Sequence, residues 1–182
     1  MTDSKKALFL FLLFYSGFFF VSGYFRQALS VAVVLLLGRK YFCNIEKQLL
    51  QYFLCAVGGM AIYFIASRIV AVLSLPGGYE AANFDFNAIF FLDVLILTPL
   101  AEELLFRSCL NDVLAEKFSY FFIPLSVLLF AAVHLSQGIG GAFFAAVCGI
   151  GLSFTYKMKK KIIFSVIMHS FINLGGCLDC IF

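Results

Sequence analysis

Residues 87–110 read NAIFFLDVLILTPLAEELLFRSCL, and this stretch decides the fold. A helix needs about 20 consecutive apolar residues to cross the hydrocarbon core of a bilayer, and this run supplies that length. A soluble amphipathic helix would show a continuous polar face. Here the polar side chains are isolated instead: Asp93 early, Pro99 in the middle, then Glu102, Glu103 and Arg107. Ionisable groups inside so apolar a helix are costly unless paired or hydrated, so they point to function.

Working outward, further apolar runs bounded by charge or by Gly and Pro fall near residues 7–24, 25–38, 49–75, 118–136, 138–156 and 162–178. The run at 25–38 is the weakest, because it is short and begins at Arg26; tilted, interfacial or re-entrant placement is open to it. The pattern predicts an all-α polytopic membrane protein, a bundle of about seven transmembrane helices with six to eight as the range. Composition agrees. Of 182 residues, 63% are hydrophobic and 13% charged, whereas a soluble domain averages roughly 45–50% apolar and about 25% charged. These figures exclude intrinsic disorder and a disulfide-stapled miniprotein. A net charge of +3, spread over short loops, is no nucleic-acid footprint. The expected partners are the lipid bilayer and a membrane-associated protein or peptide substrate. The length fits a single integral-membrane domain, 1–182, with no soluble appendage.

Basic residues are retained on the cytoplasmic side of membranes. With the N-terminus inside, the inner segments hold Lys5, Lys6, Arg39, Lys40, Lys47, Lys117, Lys157, Lys159, Lys160 and Lys161 of the 13 basic residues, and the outer segments hold only Arg26. Glu80, Asp85 and Asp179 then fall outside. An alternative for the first run is a cleaved signal peptide, with Val21-Ser22-Gly23 as a small-residue cleavage site; it leaves the remaining orientation unchanged. Small size and the lack of organelle signals point to a bacterial inner membrane.

Within 87–110, Glu103 and Arg107 stand one turn apart in the acid-before-base order that favours an ion pair. Glu102 is rotated about 100° away and lacks that intrahelical partner. One carboxylate is therefore structural and ionised. The other, in a less polar setting, suits a general base. A buried ion-pair network that merely fixes helix register is the plainer alternative. Both histidines of the chain lie in apolar runs: His134 closes Phe130-Ala131-Ala132-Val133-His134, and His169 opens His169-Ser170-Phe171-Ile172-Asn173. The i,i+4 spacing puts His169 and Asn173 on one face. Counted from the proposed cytoplasmic ends, the depths of Glu102, His134, His169 and Asn173 agree within about two helical turns, so convergence is permitted. Pro99 is expected to kink the helix beside the site and open a hydrated cavity. Asp93 is left open between hydrating that cavity, binding substrate and pairing with a polar neighbour.

Six cysteines occur. Most read as small apolar fillers. Cys177-x-x-Cys180 is a weak signal for a disulfide or redox pair, and Cys109 as a nucleophile would leave the glutamates idle.

The ordered set Glu102-Glu103-x-x-x-Arg107, Phe130-x-x-x-His134 and His169-x-x-x-Asn173, each in its own apolar run, closely resembles the CAAX prenyl protease and bacteriocin-processing family, also called CPBP or Abi, of glutamic intramembrane proteases. The resemblance covers about residues 88–177, the expected catalytic core. It implies a metal-free and cofactor-free endopeptidase in which Glu102 is the general base, His134 orients the water with it, and His169 and Asn173 stabilise the oxyanion. Glu103 and Arg107 would support the helix geometry. The chemistry is reasonable: a carboxylate and an imidazole can share and deprotonate a water, and two N–H groups one turn apart can face one oxyanion. The chain departs from the family in Ser108, where relatives often have Gly, and in a short N-terminal region.

Two rivals belong to other classes. A zinc-dependent membrane peptidase could draw ligands from His134, His169 and Glu102, although the chain lacks His-Glu-x-x-His. A non-enzymatic membrane scaffold or immunity protein could keep the fold without the activity. The resemblance leaves prenylated C-termini, bacteriocin leader peptides and sorting tails all open as substrates.

Overall fold

The computed structural model describes residues 9, 11–17, 24–41, 48–77, 87–114 and 119–181. The proposed cleavage site at Val21-Ser22-Gly23, and Lys117, Glu80, Asp85 and Cys43, lie outside these described residues. Seven helical stretches, and no strand, occur among the described residues. They are α1 (11–17), α2 (Tyr24–Tyr41), α3 (Leu49–Val72), α4 (88–114), α5 (Phe122–Val133), α6 (Gly138–Lys159) and α7 (Ile162–Ile181). Each falls on one of the apolar runs.

Among the described residues, three helical segments are long and apolar enough to cross a membrane: Leu49–Val72, Leu135–Lys159 and Ile162–Ile181. The others are shorter or interrupted. α5 has 12 residues, about 18 Å at 1.5 Å per residue, which is less than a hydrocarbon core of about 30 Å. It ends because His134 leaves helical geometry at φ −93°, ψ 0°, and a short 3-10 turn, Leu135–Gln137, leads into α6. The fifth run was expected to continue to 136. Side-chain pairing with α6 places its end: Phe122 meets Tyr156, with ring centroids 5.8 Å apart, the Ser153 hydroxyl donates to Ser126 at 3.2 Å, and Phe130 faces Gly149. Continued one turn, this antiparallel register sets His134 against the N-terminal half of α6.

α4 starts at Asn87, whose side chain accepts the Phe90 N–H at 3.0 Å as an N-cap. Its path is continuous but changes pitch twice, with π-helical segments at Asp93–Leu97 and Leu104–Cys109. Such wide turns are rare and concentrate at functional sites. The two glutamates lie in the α-helical segment between them, Thr98–Glu103.

α3 and α7 run parallel and pack lengthwise, from the Tyr52–Phe164 ring pair near their starts to Tyr63 against Gly175 near their ends. Close approach at the middle requires a glycine. A Cβ at Gly59 would fall inside contact distance of the Met168 carbonyl oxygen. The Tyr63 hydroxyl donates to Asp179 at the far end. α4 runs antiparallel to α7, with Glu103 opposite His169 and Val94 opposite Asn173.

Candidate active site

Every residue from Ala101 to Leu110 is buried. The section of α4 that carries Glu102, Glu103 and Arg107 is therefore wrapped by other helices, not by lipid. The intrahelical pair expected from sequence forms: Arg107 Nη1 lies 3.1 Å from Glu103 Oε1, both side chains being fully buried. The same carboxylate oxygen stands 2.9 Å from His169 Nδ1 of α7. A carboxylate in such a pair only accepts, so the Nδ1 proton is donated to Glu103.

His169 also reaches the first glutamate. Its Nε2 lies 3.7 Å from Glu102 Oε2. That interval is too long for a direct hydrogen bond, and a water can bridge the two atoms only from beside them. With His169 protonated and both carboxylates ionised, the four groups Glu102, Glu103, Arg107 and His169 sum to zero charge. A neutral cluster is the form in which such groups are least costly to bury.

Phe130 of α5 joins the parts. Its buried ring lies 4.7 Å from the His134 ring and 5.7 Å, edge-on, from the His169 ring, centroid to centroid. Arg107 Cζ stands 4.4 Å from the centre of the same ring. This cation–π contact matters because none of the Arg107 guanidinium nitrogens has a hydrogen-bond partner among the described residues, Nη1 meeting Glu103 as an ion pair. Gly149 of α6 leaves room for the ring; a Cβ there would stand 3.3 Å from Phe130 Cδ1 and 3.7 Å from Arg107 Nη2. The Ser126 hydroxyl donates to the Phe106 carbonyl at 3.0 Å and ties α5 to α4. His134 Nδ1 lies 2.8 Å from the Phe130 carbonyl, which only accepts, so Nδ1 carries the proton and Nε2 is the basic nitrogen of the neutral ring.

Asn173 has one of its N–H groups engaged within the protein. Its Nδ2 donates to the Val94 carbonyl of α4 at 2.8 Å. The reason is local. Thr98 N–H bonds the Asp93 carbonyl in the wide i−5 register, and the next residue, Pro99, has no N–H to offer Val94. The proline therefore leaves one carbonyl without a helical donor, and the carboxamide of α7 satisfies it. Asp93 is held by polar neighbours, accepting from Gln27 Nε2 of α2 and from Thr98 Oγ1, each at 3.2 Å. Cys177 and Cys180 are free thiols. Among the described residues no three His, Cys, Asp or Glu side chains are arranged to hold a metal ion.

The structure thus gathers Arg107, His134 and His169 around Phe130, with Glu102 and Glu103 reached through His169 and Asn173 one turn beyond it. Sequence reasoning gave Phe130 no role, although its place one turn before His134 on α5 was the available signal. The matching segment of the chain, residues 84–175, fits the family model described as type II CAAX prenyl endopeptidase Rce1-like, over half of the sequence. The chain belongs to the Rce1-like family. No curated protein and no solved structure matches it. As an Rce1-like protein it is a peptide hydrolase of the CAAX-protease type and an integral membrane protein. All seven residues of the sequence motifs lie within the Rce1-like segment.

Proposed function

We propose that the chain is a glutamic intramembrane endopeptidase with Glu102 as general base. The observation that carries this reading is the division of labour between the adjacent carboxylates: Glu103 Oε1 faces Arg107 and His169 Nδ1, whereas Glu102 stands 3.7 Å from His169 Nε2, beyond a direct hydrogen bond, so that a water bound beside the two atoms can touch both. In this reading Glu102 takes a proton from that water as its oxygen attacks the scissile carbonyl. His134, through Nε2, orients the water. The oxyanion then receives Nε2–H of a protonated His169, held in place by Glu103, and the second N–H of Asn173, whose first is engaged by Val94. Glu102 finally passes its proton to the leaving amine. Arg107 faces the Glu103 carboxylate at 3.1 Å and fixes its position.

We place the site in one integral-membrane domain, 1–182, with a catalytic core at about 88–177. An N-terminus inside the bacterial inner membrane is supported by the lysine distribution, and alternating helix directions by α3 running parallel to α7 and both antiparallel to α4. In this reading the substrate is a membrane-anchored protein tail, which the family's description as a CAAX prenyl endopeptidase supports. Quantitative analysis of membrane-protein termini, comparing cells carrying the wild type with cells carrying Glu102→Gln, tests this. One or more membrane-anchored proteins should accumulate uncleaved in the variant. Identical terminal peptides in both would contradict the function.

A further inference from the structure

A second feature lies on the far side of α7 from the glutamates. α3, α6 and α7 form a groove, open on one side, of about 190 Å³ lined by Leu54, Cys55, Met158 and Met168. Gln51, Thr155 and Lys159 complete the lining, with Lys159 donating from Nζ to Gln51 Oε1 at 3.0 Å. Met168 faces this cavity while His169, about 100° further round the helix, faces the carboxylates. A cavity this size exceeds the roughly 30 Å³ share of one water several-fold, and an apolar lining offers water too few partners to hold it. Hydrocarbon is the better occupant. Leu50, Phe53 and Leu54 are exposed beside it, on a helix that is long and apolar enough to face lipid tails.

The polar end of the cavity adds a charge. Lys157, Lys159, Lys160 and Lys161 lie within five positions at the turn from α6 to α7, and no Asp or Glu occurs in residues 117–178. Lys160 takes the left-handed conformation at φ 53° that turns the chain there. An apolar slot that begins beside a lysine cluster, at the end of two spanning helices, matches a lipid with an anionic headgroup. We propose that this groove binds one anionic phospholipid, an acyl chain occupying the cavity and the phosphate pairing with Lys159.

The test uses the full-length chain in detergent, titrated with phosphatidylglycerol or phosphatidylcholine, with bound lipid counted by native mass spectrometry and the thermal midpoint followed in parallel. Wild type should retain one phosphatidylglycerol and bind it at least about tenfold more tightly than phosphatidylcholine. Lys159→Gln should lose most of that preference. Thr155→Phe fills the cavity and leaves every lysine in place, so it should abolish retention as well; Thr155→Leu is the milder filler if the larger one fails to fold. Equal binding of the two lipids by wild type overturns the proposal. So does a filled-cavity variant that retains phosphatidylglycerol like wild type, because that result assigns the preference to surface charge alone.

Discussion

His169 Nδ1 lies 2.9 Å from Glu103 Oε1, the carboxylate oxygen that Arg107 also faces from one helical turn away. A single oxygen thus ties α7 to α4 at the centre of the protein and sets the direction in which the opposite ring nitrogen of His169 points. The structural work of the pair of glutamates falls on the second of them.

Glu103→Gln should therefore damage the fold as well as the activity. It leaves a buried guanidinium and an imidazole without their carboxylate, and breaking a buried ion pair costs about 3–5 kcal/mol. A fall in the thermal midpoint in detergent, alongside lost cleavage, is the expected result. Wild-type stability would show that Arg107 has another counter-charge.

The bond from Asn173 to the Val94 carbonyl predicts a coupling with Pro99. Asn173→Ala alone strands a carbonyl and should cost about 1–3 kcal/mol. In a Pro99→Ala background the helix regains an N–H in the register that Val94 needs, so the same change should cost less, a coupling of about 1 kcal/mol in a double-mutant cycle of thermal unfolding. Strict additivity would separate the two residues.

Much of this was legible in the sequence, because spacing along one helix is a local property. The Glu103–Arg107 pair follows from i,i+4 geometry, and each apolar run became a helix. What sequence could not supply depends on packing between helices. The first π turn of α4 runs up to the residue before Thr98-Pro99, the second follows the glutamates, and no residue pattern announced either. Asn173 shares a face with His169 as expected, yet the carbonyl it meets belongs to α4 and was freed by a proline 74 positions earlier. The end of α5 at His134 was equally hidden, since the apolar run itself continues past it.

Orientation is open to direct measurement. In a cysteine-free background, Lys157→Cys should be labelled by a membrane-impermeant thiol reagent only after the membrane is opened, because the lysine-rich turn lies inside. Labelling of intact cells would invert the topology.

Activity should survive exhaustive dialysis against a strong chelator, since the proposed base is a carboxylate and the proposed oxyanion donors are side-chain N–H groups. Loss under EDTA or phenanthroline, restored by stoichiometric zinc, would transfer the chemistry to a metal.

The account rests above all on Glu102. The decisive measurement is turnover of an identified membrane-anchored substrate by purified Glu102→Gln in nanodiscs, with the thermal midpoint read on the same sample. The amide keeps the size of the side chain but cannot accept a proton from water. Cleavage should fall by roughly 10²–10⁴, the range general-base removal produces, while the midpoint stays near that of wild type. Wild-type turnover by a folded Glu102→Gln protein would contradict the assignment of the general base.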